Sequence, residues 1–331
     1  MTHAVFRVAF AGPHVSVQDA GRYGLMRFGV PASGPMDRKS FAIANAALGN
    51  PPDQAGIEVS AGGVSLDCLS GQVSVAVAGG GFIVRAGARM VGSWTVLTIS
   101  AGDTLTIRPG PWGNWTYLAF AGILQAESWL GSKSTHGASG LGGGRLATAQ
   151  LITVTKTRVQ YDREGPIPCP VWARPRHILR CVPGPQDRFF STETLAEFTS
   201  SRYFVTDAFD RMGVKLRGPA LPPISALAIP SEPILRGAVQ VSGDGVLTVL
   251  LSDHQTTGGY PKIATVIAQD LDSFVQCRPG DAVAFTAISP MDAVLLARTD
   301  ARRGQSFLER LTALSGHPVT GASGSSRPVG A

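Results

Sequence analysis

EVSAGGV, Glu58 to Val64, returns 182 positions later as QVSGDGV, Gln240 to Val246, with four of seven residues identical. Each copy sets an apolar stretch against a glycine turn, the pattern of a strand entering a tight reversal. Two weaker echoes keep nearly the same offset: VLTISAGDTLTI around Gly102-Asp103 matches SFVQCRPGDAVAF around Gly280-Asp281, and FRVAFAGP before His14 matches HILRCVPGP before Gln186. One strand-rich plan used twice is the simplest source of such a repeat. The expected fold is mainly β, two β-barrel-like domains in tandem with a few capping helices.

Tyr161 to Pro175 carries Pro166, Pro168, Pro170 and Pro175 near mid-chain and reads as an extended linker. The expected division is therefore 1–160 for the first domain, 161–175 for the linker and 176–314 for the second. Residues 315–331 have no apolar face to bury and read as a disordered tail. Within the halves, Val73 to Val77 and Val246 to Leu251 read as strands.

Helical spacing is found in three places. Ile263, Val266, Ile267, Leu271 and Phe274 form one apolar face, with Pro261 in the first turn. Asp37 to Leu48 is stopped by Gly49, and Phe307 to Leu314 has Gly316 just beyond it.

Composition narrows the function classes. A chain of 331 residues with 44% hydrophobic and 16% charged content buries a sizeable core, and its 40 glycines and 23 prolines suit short strands and turns. No apolar run reaches the roughly 18 residues of a membrane span, and MTHAVFRVAF lacks a signal-peptide core, so a cytoplasmic protein without a membrane partner is expected. Cys68, Cys169, Cys181 and Cys277 are scattered and read as free thiols. The formal charge is +6, yet the densest basic stretch, Ala173 to Arg180, holds three arginines without interleaved aromatics, which argues against nucleic acid. His177 and Cys181 lie four apart in a strand-like stretch, about 13 Å, too far to share one ion. No tightly bound metal is expected.

The densest polar run is Ser252-Asp253-His254-Gln255-Thr256-Thr257-Gly258-Gly259-Tyr260-Pro261-Lys262. With a helix expected right after it, the glycines, the helix N-terminus and Lys262 would suit a phosphate or carboxylate. A locally hydrogen-bonded turn is an equal alternative. In the first half, Gln18-Asp19-Ala20-Gly21-Arg22 precedes Gly29 to Asp37, GVPASGPMD. There Asp19 and Arg22 are expected to pair, while Ser33 and Asp37 serve at a helix start. Gly131-Ser132-Lys133-Ser134-Thr135 lacks the spacing of a phosphate loop, and Gly140-x-Gly142 meets Arg145 where a dinucleotide motif needs glycine.

QDAGRYG (Gln18 to Gly24), GVPASGPMD, Ala44-Asn45-x-x-Leu48-Gly49-Asn50, Glu58, YLAFAGI (Tyr117 to Ile123) and GSKST recur in one order with VPGPQD (Val182 to Asp187), DRMG (Asp210 to Gly213), GAVQV (Gly237 to Val241), SDHQTTGGYPKIATVIAQDL (Ser252 to Leu271) and PGD (Pro279 to Asp281). In these the chain resembles the family named for allophanate hydrolase subunit 2, which also contains the carboxyltransferase domain of urea carboxylase and a 5-oxoprolinase subunit.

The resemblance implies two tandem cyclophilin-like domains. It also implies membership of an ATP-dependent 5-oxoprolinase that opens the lactam to glutamate, with ATP and Mg2+ as cofactors. The partners implied are two further subunits, one smaller and cyclophilin-like, the other a barrel, without which the chain is inactive. In that frame Lys262, Arg211 and Asp253 carry catalysis, the two cations by neutralising phosphate. Gln255, Thr256, Thr257, Gly258, Gly259, Tyr260, Glu232, Gln240, Asp19, Arg22, Ser33 and Asp37 bind substrate or nucleotide. Two alternatives accompany it: a carboxyltransferase moving CO2 from carboxybiotin to urea or a related amide, and a regulatory partner without turnover.

Overall fold

Strand Val64–Ser70, entered through the first copy of the repeat, is the centre of a seven-stranded antiparallel sheet, between His3–Ala11 and Thr104–Trp112. The computed structural model describes residues 2–224 and 229–313. The tail expected at 315–331 and Leu314 lie outside the described residues.

A second, six-stranded antiparallel sheet runs through Gln72–Ala78 and Trp115–Phe120. Val73 to Ala78 is buried without a break, as a strand covered on both faces must be. The two sheets meet through Phe6 and Phe120, whose ring centroids are 5.7 Å apart. The other face is covered by helix α1, Arg38–Ala47, where Phe41 meets Tyr117 edge-on at 5.7 Å. Asp37 caps α1 by accepting from Ser40 N at 3.0 Å, and Gly49 at φ 63 ends it, both as expected.

The second half closes into a seven-stranded barrel in the order Ile178–Pro183, Lys262–Val266, Ala238–Val241, Leu247–Leu250, Gly213–Arg217, Tyr203–Phe209 and Ala282–Ala287. Both copies of the repeat fall on strand, turn and strand, but they are used differently. In the barrel the copy is a hairpin, with Val241 opposite Leu247. In the first half the same pattern carries the chain from one sheet to the other.

Three helices differ from expectation. The face assigned to Ile263 through Phe274 is split: Lys262–Val266 is a strand, and the helix, α3, covers only Ala268–Phe274. A strand paired on both edges and buried on both faces loses polar alternation, so its apolar residues mimic a helical stripe. Helix α4 begins at Pro290 rather than Phe307 and runs to Ala313; Leu311 is its one fully buried residue, so its apolar periodicity is weak. Helix α2, Thr192–Ser200, escapes notice because it buries only Phe198; Ser191 caps it, accepting from Thr194 N at 3.2 Å.

The proline-rich segment is laid onto the first half. Gly165–Pro166 pairs with strand Thr95–Ser100, and Ile167 and Ala173 are buried. The halves also meet directly. Gln276 Oε1 accepts from Asn114 N and Trp115 N at 3.0 and 3.1 Å, and Arg278 donates to the carbonyls of Gly113 and Gly110 at 2.8 and 2.9 Å. No helix among the described residues is long and apolar enough to cross a membrane.

Candidate functional site

The GVPASGPMD segment of the first half meets the barrel at one buried guanidinium. Arg211 donates through Nε and Nη2 to Asp253 at 2.9 Å each, through Nη1 to Glu58, and through Nη2 to the Gly34 carbonyl at 2.8 Å. Its side chain is 4% exposed, and those of Glu58 and Asp253 are 0% and 1%. Ser252 Oγ adds a bond to the Pro35 carbonyl at 3.1 Å. Ser33 is buried beside Asp253 without a well-directed hydrogen bond to it.

Burial works against all three charges, with different results. It lowers the affinity of Arg211 for its proton, but Asp253 and Glu58 outweigh it and hold the guanidinium above its ordinary value. It raises Asp253, yet Arg211 and the Gly137 N–H, at 2.7 Å, bring that carboxyl below its ordinary value. Glu58 stays raised because burial exceeds its share of Arg211 and its bond from Met36 N at 2.7 Å. Every guanidinium nitrogen of Arg211 is committed, so it is not free to face a phosphate.

Asp37 sits one turn away. Its carboxylate accepts from Ser40 Oγ at 2.6 Å and from Gln276 Nε2, across the seam, at 2.8 Å. Burial, then the nearby Asp272, pushes its pKa up from 3.8 to about 7. A folded value above the unfolded one gives stability that is complete below pH 3.8 and lost as pH rises through about 7. We expect the Asp37 contribution to unfolding free energy to decline between pH 4 and 7, so that Asp37→Asn makes the slope of stability against pH less negative in denaturant titrations. Equal slopes would show that Asp37 does not titrate in that range.

Asp19 and Arg22 do not form the expected ion pair. Asp19 closes the 131–135 loop instead, accepting from Ser132 Oγ, Ser134 Oγ and Lys133 N at 2.6, 2.7 and 2.5 Å and from Gly21 N at 2.9 Å. Burial alone would raise it; the two hydroxyls and two N–H groups lower it. Arg22 turns to the carbonyls of Ser134 and Trp129 and lies 4.8 Å from the Trp129 ring. The loop whose composition resembles a phosphate cradle thus binds a carboxylate of its own chain.

A second cluster lies at the barrel end. Gln240 is paired with Lys262 in the strand register, which puts both side chains on one face. Gln240 holds in its half the place that Glu58 holds in the other, each opening its copy of the repeat. Lys262 is 3% and Gln240 4% exposed, and among the described residues neither Lys262 Nζ nor Gln240 Nε2 has a hydrogen-bond partner. Lys262 Nζ is 3.6 Å from Glu232 Oε2, an ion pair beyond bonding distance. Gln186 is buried between them: its Nε2 donates to Glu232 at 2.8 Å and its Oε1 accepts from Lys262 N at 3.0 Å. Gln255 Nε2 donates to Gln240 Oε1 at 3.3 Å.

Residues 252–255 therefore join the clusters, Asp253 serving one and Gln255 the other. The helix N-terminus expected beside Lys262 is absent, because a strand follows. Thr257 and Gly258 pair with Pro233 and Glu232 as a short ribbon, and Ile234 N donates to the Thr256 carbonyl at 3.0 Å. Gly259 is half-buried, and Tyr260 stands on the rim, 54% exposed. The sequence does not single out Gln186 or His254 as site residues, and marks Glu58 only as a motif position. His254 is kept below its ordinary pKa by burial, outweighing the Gln255 carbonyl 2.6 Å from its Nδ1. Nothing in its sequence context separates it from a core histidine.

Among the described residues no group of three His, Cys, Asp or Glu side chains could hold a metal ion. The groove between α1 and α4, lined by Lys39, Ala46, Pro52, Asp300 and Leu308, is largely apolar and lies apart from both clusters.

A family model described as the carboxyltransferase domain, subdomain A and B, matches residues 28–287. A 5-oxoprolinase subunit from Haemophilus influenzae is 30% identical over 286 residues, 86% of this chain and 91% of its own length. Its counterpart in Escherichia coli is 29% identical over 302 residues, 90% and 96% of the two chains. The urea carboxylase of Kluyveromyces lactis superposes with a TM-score of 0.82 at 24% identity, over 93% of this chain and 29% of that larger one, a likeness of fold.

Proposed function

The chain belongs to the family of the carboxyltransferase domain, subdomain A and B, and on that premise we propose that it is the substrate-holding subunit of an ATP-dependent 5-oxoprolinase. The carrying observation is the pair of buried donors, Lys262 Nζ and Gln240 Nε2, that no group among the described residues satisfies. A buried ammonium without a hydrogen-bonded acceptor costs several kcal/mol, which favours an acceptor brought by a ligand. The carboxylate of 5-oxoproline is such an acceptor, and the relatives named as 5-oxoprolinase subunits support the assignment.

In this reading Lys262 and Gln240 fix the carboxylate, and Gln255 and Thr256 line the lactam side. Arg211, Asp253, Glu58 and Ser33 hold the seam that positions the 252–262 segment. Asp19, Arg22 and Asp37 act further back, by shaping the loops around it. A triphosphate does not fit these residues, since Arg211 is neutralised by two carboxylates and Lys262 faces Glu232. We therefore place ATP and Mg2+ on a partner with a barrel fold, and a smaller cyclophilin-like partner completes the enzyme. Net, ATP, 5-oxoproline and two water molecules give ADP, phosphate and glutamate.

The test is ADP release on adding 5-oxoproline to the chain reconstituted with its two partner subunits, with urea as control. Release that depends on 5-oxoproline and disappears without this chain is expected. Release with urea and a biotinylated protein would favour the second reading, carboxyl transfer to an amide, to which the family's description points. No release with either, but tight pairing with the partners, would leave a regulatory role.

A further inference from the structure

The two unsatisfied donors are not merely buried; they are covered by one small element. A Cβ built on Gly258 would lie 2.9 Å from Gln240 Nε2 and 2.5 Å from Ile234 Cδ1. Glu232, directly opposite Gly258 in the ribbon register, reaches Lys262 Nζ at 3.6 Å and accepts from Gln186. One strand of the ribbon thus lies over Gln240 and the other over Lys262. Neither donor atom is accessible to solvent, and among the described residues the ribbon lies against both, so its movement opens a way to them.

The ribbon is built to move at low cost. It has two residues per strand. Its apolar anchor is Ile234, which with Ala238 and Leu250 forms a cluster separate from the main core. Its edges, Leu235 and Tyr260, are 63% and 54% exposed. Segments with few buried apolar contacts open locally at a fraction of the global free energy.

We propose that the ribbon Glu232–Pro233/Thr257–Gly258 is a lid, and that in the closed empty state the Glu232 carboxylate stands in for the substrate carboxylate opposite Lys262. Lifting the ribbon withdraws one carboxylate and admits another, so the ammonium exchanges partners instead of being left bare. Ile234 is the latch, a positioning residue. The identity of the ligand rests on the function proposed above; the lid does not.

Glu232 is 39% exposed, so Glu232→Gln preserves the fold, and its amide oxygen still accepts from Gln186. Two readouts on the full chain alone test the lid: hydrogen exchange at Ile234 N–H, and acetylation of Lys262 by acetic anhydride, read by mass spectrometry. Both are expected to be about tenfold faster in Glu232→Gln, with the exposed Lys156 and Lys215 unchanged. Ile234→Ala should quicken exchange in the same ribbon while the barrel strands Ala238–Val241 and Leu247–Leu250 keep their protection. In the reconstituted enzyme Glu232→Gln should lower KM for 5-oxoproline. Equal exchange and equal acetylation in the two chains, or a fall in kcat with KM unchanged, would overturn the lid. If Lys262 becomes reactive in Glu232→Gln but 5-oxoproline fails to shield it, the lid stands and the assigned substrate falls.

Discussion

Lys262→Met is expected to reduce 5-oxoproline-dependent turnover of the reconstituted enzyme by about 100-fold or more while leaving the chain as stable as before, or more so. Loss of one partner from a desolvated charge pair costs about 2–5 kcal/mol, and each 1.4 kcal/mol is a factor of ten. The ligand carboxylate would lose its ammonium, and the effect would fall largely on KM if the contact is made equally in ground and transition states. The fold loses little, because Lys262 Nζ makes no hydrogen bond and a methionine of similar length fills the same space. An inactive but intact protein is the signature of a binding group. A variant that unfolds would make Lys262 structural.

Arg211→Met is expected to do the reverse. It strands Glu58 and Asp253 as buried carboxylates and removes the tie from the barrel to the Gly34 carbonyl. Breaking a buried ion pair from one side costs about 3–5 kcal/mol, against a typical total of about 5–15. Chemical denaturation should show that loss at pH 7. The loss should shrink in acid, where the stranded carboxylates take up protons, Glu58 first because burial already raises it. A loss below about 1 kcal/mol would mean that the seam is held elsewhere, for instance by Gln276 and Arg278.

The contrast between these two cations is not legible in the sequence. Arg211 and Lys262 both sit in motif-rich stretches, and by resemblance both are expected to meet phosphate. Their difference lies in partners that come from distant places, Glu58 and Gly34 for one and Gln186 and Glu232 for the other. The same holds for Asp19, three of whose four donors lie more than 110 residues away in the 131–135 loop, while its neighbour Arg22 is not among them.

Features decided by adjacent residues are legible. The repeat marks two strand-turn-strand units, and Asp37 and Gly49 mark the ends of α1, because turns and caps are set locally. The stretch after Pro261 misleads for the opposite reason: strand pairing on both edges overrides an apolar spacing that fits a helix equally well. The equivalence of Glu58 and Gln240 is present in the repeat, yet only the fold shows that one anchors a guanidinium and the other has an amide nitrogen without a hydrogen-bond partner among the described residues.

Entry of a cyclic amide's carboxylate beside Lys262 and Gln240 can be measured directly, by equilibrium binding of L-5-oxoproline and of 2-pyrrolidinone, the same ring without the carboxylate. The protein is the assembled enzyme carrying either Lys262 or Lys262→Met. Only 5-oxoproline should bind tightly, and its affinity should fall about 100-fold in Lys262→Met, to the level of 2-pyrrolidinone. Equal binding of the two lactams, or 5-oxoproline binding untouched by the substitution, would contradict this placement of the substrate.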